Sequence, residues 1–257
     1  LEYPIAKIRI NPGNIGEDWK VAEVVRKARD RGVPIRIGVN AGSLPRKLRS
    51  ERDVALAILK AAERELELLD RLGFHDLIFS LKSSEAYTTV QANLLFAERY
   101  SYPLHLGVTE AGPLIPGVVK NTIALCQLLK EGVGDTVRVS LSDSPESEIE
   151  AGRAILQNMG VRAFGLNLVS CPTCGRMTFD VKKFLEQAQS DLRAIRDRSV
   201  SIAVMGCPVN GPGEARRADL GITGCGNQVI FFRHGRILRR VAVDDALRVF
   251  QEELRLL

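Results

Sequence analysis

Apolar residues in the first part of the chain follow two alternating rhythms. Short runs of strand length, "AKIRIN" near 6–11, "IRIGVN" at 35–40, "LIFSLK" at 77–82, "LHLGVT" at 104–109 and "VRVSLS" at 137–142, are separated by longer segments. In "WKVAEVVRKARDRG", "RDVALAILKAAERELELLDRLG" and "EIEAGRAILQNMG" the apolar positions recur at helical spacing and stop at Gly, a common helix terminator. Strand alternating with helix predicts right-handed βαβ units and a parallel sheet. A doubly wound sheet and part of a (β/α)8 barrel both satisfy that pattern. After about residue 163 the rhythm changes. "FGLNLVSCPTCGR" and "VSIAVMGCPVNGPGE" each predict a strand running into a turn too rich in Pro and Gly for regular structure. "QVIFFRHGRILRRVAV" predicts a hairpin around His234-Gly235, and "DDALRVFQEELRLL" a closing amphipathic helix. The expected division is a first domain over 1–162 and a smaller α/β domain over 163–257.

The early strands carry polar residues where a parallel strand covered on both faces should be apolar. Side chains alternate with period 2, so Arg9 and Asn11 share a face, as do Arg36 and Asn40, His105 and Thr109, and Arg138 and Ser140. Lys82 ends the third strand. A cation or amide thus sits near the C-terminal end of nearly every strand, which in a barrel is the mouth where active sites lie. Solvent-exposed faces would explain one such strand more easily than four. Three Arg and one Lys converging need an anionic partner, and guanidinium forks match phosphate oxygens. A diphosphate-like ligand is the expectation. Glu110, next to Thr109 in "GVTEAG", is the nearby carboxylate, fit for general acid work or for a salt bridge to one of the arginines.

The cysteines add a second chemistry. Cys171 and Cys174 form a CxxC in "SCPTCGR", and Cys207 opens the stiff run "GCPVNGPGE" that ends at Glu214. Both turns follow apolar strands, so adjacent parallel strands would bring the three thiols to one sheet edge. A dithiol redox pair would leave Cys207 unexplained. A zinc site would take Cys225 as its fourth thiolate. An iron–sulfur cluster would take three thiolates and a weaker fourth ligand. Cys126, in the helical "ALCQLLKEG", reads as a buried apolar residue.

Composition narrows the classes. The chain has 257 residues, 45% of them hydrophobic, and no apolar run approaches the roughly 18 residues of a membrane helix. The net charge is +5, but basic residues are interspersed with acidic ones, which favours a small phosphorylated ligand over nucleic acid. Five cysteines, an odd number, point to a reducing compartment with thiols used for metal or catalysis. A cytoplasmic location is expected. The chain opens with Leu1 and meets its first strand almost at once, so upstream residues are expected too, and a plastid stroma stays open.

The motifs "RINPGNIG", "PIRIGVNAGSL", "PLHLGVTEAG", "GDTVRVSLS", "SCPTCGR" and "GCPVNGPGEA" resemble, in order and across essentially the whole chain, the hydroxymethylbutenyl diphosphate synthases of the methylerythritol phosphate route to isoprenoids. The resemblance implies a TIM-like barrel followed by a cluster domain similar to part of sulfite reductase. It implies a [4Fe-4S] cluster on Cys171, Cys174, Cys207 and Glu214, and two electrons from ferredoxin or flavodoxin. The implied substrate is 2-C-methyl-D-erythritol 2,4-cyclodiphosphate, opened and dehydroxylated to 4-hydroxy-3-methylbut-2-enyl diphosphate. Arg9, Asn11, Arg36, Asn40, Lys82, Arg138 and Ser140 would hold the diphosphate, with Thr109 and Glu110 beside the reacting carbons. Glu110 and Glu214 would be the catalytic carboxylates. The implied assembly is a homodimer in which one subunit's cluster domain caps its partner's barrel. A family barrel has eight strands and this chain carries the last five, so an open arc is expected. The competing reading is a zinc-stabilised module that binds nucleic acid or another phosphorylated partner.

Overall fold

The structure is a computed structural model that describes residues 3–209 and 211–257. It divides into two compact units, one up to Val161 and one from Arg162 onward. No helix among the described residues is long and apolar enough to cross a membrane.

The first unit runs β1 (Ile8–Ile10), α1 (Pro12–Ile15), α2 (Asp18–Arg31), β2 (Ile35–Asn40), α3 (Val54–Arg71), β3 (Leu77–Lys82), α4 (Ala86–Ala97), β4 (His105–Leu106), α5 (Leu114–Lys130), β5 (Thr136–Val137) and α6 (Pro145–Asn158). All the strands are parallel. β1, β2 and β3 form one sheet, β4 and β5 pair separately, and a bridge between Phe79 and Leu104 joins the two groups. β1 and β5 each have one neighbouring strand, so among the described residues the arc is open and forms no closed barrel.

Period-2 alternation sorts the residues of this arc. Ile35, Ile37 and Val39 of β2 and Leu77, Phe79 and Leu81 of β3 are buried in one core with Ile58, Leu59, Ala62 and Leu69 of α3. Burying each such side chain contributes on the order of 1.5–3 kcal/mol. That demand fixes the register, and it sends Arg36, Gly38 and Asn40 to the opposite face. The helices end where Gly can turn left-handed: α2 at Gly32 (φ 60°), and α3 just before Gly73 (φ 63°). α6 starts earlier than its apolar spacing suggests. Pro145 suits the first turn of a helix, and the Ser144 hydroxyl caps it by accepting from the Ser147 N–H at 3.2 Å.

The expected strands over 104–109 and 137–142 shrink to two residues each. Buried Asn121 of α5 takes over part of the ladder's work. Its Oδ1 accepts from the Val108 N–H at 3.2 Å, and its Nδ2 donates to Gly117 O at 2.9 Å and Ser140 O at 3.4 Å. Asn93 of α4 plays the same part under β3, donating to Leu81 O at 2.8 Å. Each helix is thereby stapled to the C-terminal end of a strand.

The second unit contains β6 (Asn167–Ser170), α7 (Val181–Gln187), α8 (Gln189–Ala194), β7 (Ser201–Met205), α9 (Gly211–Ala215), β8 (Leu220–Cys225), β9 (Gln228–Arg233), β10 (Arg236–Ala242) and α10 (Ala246–Leu254). Its sheet has the order β10-β9-β8-β7-β6, parallel through β6, β7 and β8 and antiparallel beyond. Ile202, Val204, Leu220, Ile222, Val229 and Phe231 line one face, packed with Phe184 of α7 and Phe250 of α10. The hairpin turns on His234 (φ 47°) and Gly235 (φ 77°), the left-handed pair a two-residue turn requires.

Two features depart from the sequence reading. β8 occupies "LGITGC", whose glycines disguise a strand. The run from Cys207 to Glu214, expected as turn throughout, becomes the short helix α9 from Gly211, because Pro212 is tolerated in a first helical turn. Asn210 lies outside the described residues.

Candidate functional site

The first unit's polar face assembles four cations. β1 and β2 pair Arg9 with Arg36, and β2 and β3 pair Asn40 with Lys82. Gly38, between Arg36 and Asn40, has no side chain because the Arg9 guanidinium lies where one would be: a Cβ there would sit 2.1 Å from Arg9 Nε. The same guanidinium donates to Gly38 O at 3.2 Å. Across β4, Gly107 (φ 147°) brings Lys82 Nζ and the Arg138 carbonyl within 3.2 and 2.1 Å of its own Cβ position. Only glycine lets the Arg138 backbone and the Lys82 amine approach so closely there.

Electrostatics report the crowding. Lys82 is buried, and that burial, followed by the charges of Arg36, Arg138 and Arg9, pushes its amine down to about 7. Arg36 is lowered by its burial first and by Arg9 and Arg138 after it, and its buried Nε has no hydrogen-bond partner. His105 belongs to the same group: burial, then Lys82, Arg36, Lys7 and Arg138, drive its imidazole down to about 3. Its Nδ1 lies 2.8 Å from the Thr136 hydroxyl. Among the described residues Arg138 alone of the four has an acid, Glu148, at 3.4 Å, and that carboxylate also accepts from the Leu141 N–H at 2.9 Å. A face of this kind is built to receive an anion.

The remaining expected residues line its rim. Asn11 Nδ2 donates to Ser43 Oγ at 2.9 Å, closing the loop after β2 onto the loop after β1. The Thr109 N–H donates to Ser83 O at 3.0 Å, extending the ladder past β4. Glu110 follows in a left-handed conformation (φ 53°) that is strained for a residue with a side chain. It is exposed, and its carboxylate oxygens come 3.8 and 3.9 Å from a Cβ position at Gly42, in the turn after Asn40. Ser140 is held by the Asn121 contact to its carbonyl. Sequence reasoning missed Thr136, Glu148 and Asn121. A polar residue inside the apolar "VVKNTIAL" was the available signal for the last of these.

In the second unit, β6 and β7 are adjacent and parallel, so Cys171 and Cys207 emerge from neighbouring strand ends. The Gly206 N–H donates to Cys171 Sγ at 3.1 Å. Cys207 is buried and its carbonyl accepts from the Thr223 hydroxyl at 2.8 Å. Gly211, which opens α9, sits against that same Thr223, where a Cβ would be 1.8 Å from Oγ1. Cys174 and Glu214 are exposed, and Cys225 ends β8 in the same sheet. All the cysteines are free. Among the described residues no three His, Cys, Asp or Glu side chains are close enough together to grip an ion. The donor chemistry still fits an iron–sulfur cluster: thiols leave adjacent strand ends, and a backbone amide is already aimed at one sulfur. A cavity of about 430 Å³ beside Cys171 is lined by Pro172, Thr173, Lys182 and Glu186 among others.

Comparison with known proteins places both units. The model described as GcpE TIM-barrel domain matches residues 1–153, and that described as GcpE protein C-terminal domain matches residues 167–256. A protein of Thermodesulfovibrio yellowstonii named 4-hydroxy-3-methylbut-2-en-1-yl diphosphate synthase (flavodoxin) is 49% identical, over 99% of this chain and 73% of its own length. Its namesake in Treponema denticola is 49% identical over 98% of this chain and 70% of its own length. The protein of that name in Geobacillus kaustophilus is 42% identical over 99% and 68%.

Proposed function

The chain belongs to the GcpE family, and on that premise we propose that it reductively opens 2-C-methyl-D-erythritol 2,4-cyclodiphosphate to 4-hydroxy-3-methylbut-2-enyl diphosphate in non-mevalonate isoprenoid biosynthesis. The observation that carries the reading is the cation face, on which Lys82 is buried and Arg36 half-buried, and among the described residues no acid offsets the repulsion acting on either. A cyclic diphosphate supplies the two negative charges that such a face lacks.

The change consumes two electrons, breaks the ring C–O bond to the diphosphate and expels one hydroxyl as water. A [4Fe-4S] cluster, when bound, supplies the electrons one at a time and a Lewis-acidic iron. Cys171, Cys174, Cys207 and Glu214 are the residues that would hold it. Glu214 is assigned as the exchangeable ligand, because a carboxylate binds iron less tenaciously than a thiolate. Arg9, Arg36, Lys82 and Arg138 bind the phosphoryl oxygens, helped by Asn11, Asn40 and Ser140. Thr109 and Glu110 stand beside the reacting carbons, and Glu110 gives the proton that turns the departing hydroxyl into water.

The proposal includes flavodoxin as electron donor, the carrier in the relatives' names, with ferredoxin as the second choice. It includes a cluster domain similar to part of sulfite reductase, and a homodimer in which the second unit of one subunit serves the substrate held by its partner. Anaerobic purification and reconstitution test the reading. Brown protein with about four irons and four sulfides per chain, active with reduced flavodoxin, is expected. Colourless protein holding zinc would support the structural-zinc module instead. Glu110→Gln should keep substrate affinity while turnover collapses by about 10²–10⁴; near-normal turnover removes Glu110 from the mechanism.

A further inference from the structure

We infer that binding of the cyclodiphosphate draws one proton from solvent onto the Lys82 amine, so that the site completes its own charge only when the anion arrives. This rests on the reading of the cation face as the diphosphate site.

The geometry makes the amine a conditional cation. Lys82 is 8% exposed at the end of β3. The groups that face it are Arg36 from β2, Arg9 from β1 and Arg138 just after β5, all permanently charged, with His105 beside it on β4. Every influence resolved on Lys82 disfavours its charged form. Glu148 serves Arg138 and the Leu141 N–H, and Glu110 stands over the turn at Gly42. The amine lies over Gly107, within 3.2 Å of where a Cβ on that residue would stand. Near neutral pH the site without its anion therefore holds three fixed charges and a fourth that burial and its neighbours disfavour, the amine being lowered to about 7.

An anion reverses the balance. Two phosphoryl groups next to Lys82 offset the guanidinium repulsion and accept hydrogen bonds only the protonated amine can donate in full. The proton must come from solvent, because each phosphorus of a cyclodiphosphate carries one strongly acidic hydroxyl and nothing that titrates near neutrality. His105 is a poor recipient, being held neutral by its burial and then by the same cations. By linkage, affinity then falls with rising pH above about 7, approaching tenfold per unit.

Calorimetric titration of the cyclodiphosphate into the anaerobic holoenzyme, without reductant, measures this. Buffers of different ionisation enthalpy give the proton count, and phosphate buffer is avoided as a competitor. Uptake should approach one proton per site at alkaline pH and decline toward none as pH is lowered into the acid range. Lys82→Arg should bind with no uptake. Failure to bind at all would overturn the reading of the site, whereas binding with no buffer dependence at pH 8 would overturn the inference alone. Undiminished uptake by Lys82→Arg would move the proton to His105 or Glu110 and overturn it as well. Should Lys82→Arg not fold, the side-chain NMR titration of Lys82 in wild-type protein decides. Its midpoint should lie near 7 when empty and rise by about two units or more on binding; an unmoved midpoint overturns the inference.

Discussion

The amide of Gly206 donates to Cys171 Sγ at 3.1 Å, joining the turn after β7 to the first cysteine of the turn after β6. Glycine is required there for a second reason. A Cβ on residue 206 would stand 2.9 Å from Met177 Cγ and 3.2 Å from Phe179 O, both in the segment that carries Cys174. Gly206→Ala must push that segment away from β7, at about 1–3 kcal/mol of overpacking. Iron bound per chain after anaerobic reconstitution should fall well below wild type while the circular dichroism of the fold persists. Full iron loading would show that the loop tolerates the displacement.

Gly38 and Arg9 make the matching case in the first unit. The guanidinium lies across the glycine, so Gly38→Ala would displace it from the face it shares with Arg36 and Lys82. Losing one guanidinium–phosphate contact weakens binding by about 1.5–3 kcal/mol, or about tenfold to a hundredfold in Kd. Calorimetry with the cyclodiphosphate should show that loss, with stability changed little because Arg9 is exposed. An unchanged Kd would mean that Arg9 binds no phosphate.

His105 predicts how the first unit responds to acid. Its folded imidazole titrates at about 3, below the ordinary 6.5. Between those values the unfolded chain binds a proton that the folded chain refuses, so the stabilisation present above pH 6.5 is lost as pH falls toward 3. The slope from this one group is about 1.4 kcal/mol per pH unit. Denaturant midpoints measured from pH 7 to pH 4 should drop more steeply in wild type than in His105→Asn. Parallel curves would place the acid lability elsewhere.

Much of this site was legible in the chain because a buried face must be apolar. Once Ile35, Ile37 and Val39 are assigned to the core, Arg36 and Asn40 have only the other face, and the same parity places Arg9, His105 and Arg138. The helix ends at Gly32 and Gly73 and the His234-Gly235 hairpin follow from residues that alone tolerate positive φ cheaply. Contacts that depend on a partner distant in sequence were not legible. The spacing of α5 marks Asn121 as a polar residue among apolar ones, but the carbonyl of Ser140 that it reaches belongs to another strand. β8 was hidden because its glycines answer to packing: a Cβ at Gly224 would stand 2.6 Å from Gly206 O. Nor could composition distinguish a bare charge cluster from one in which His105 and Lys82 are both shifted toward their neutral forms, since both shifts are first of all consequences of burial.

The proposed dimer makes a prediction that neither unit makes alone. If substrate on one subunit is served by the second unit of its partner, Lys82→Met damages one half of a site and Cys207→Ser the other half. A mixed dimer of the two then contains one site built from both intact halves and one built from both damaged halves. With random exchange, half the dimers are mixed, and activity should recover to about a quarter of wild type from two inactive preparations. If each chain serves its own substrate, every site in the mixture retains one damaged half and no activity returns. The measurement is turnover after anaerobic subunit exchange, with mixing confirmed by distinct affinity tags on the two chains. Recovery near zero despite confirmed mixing would leave the chemistry in place but confine it to a single chain.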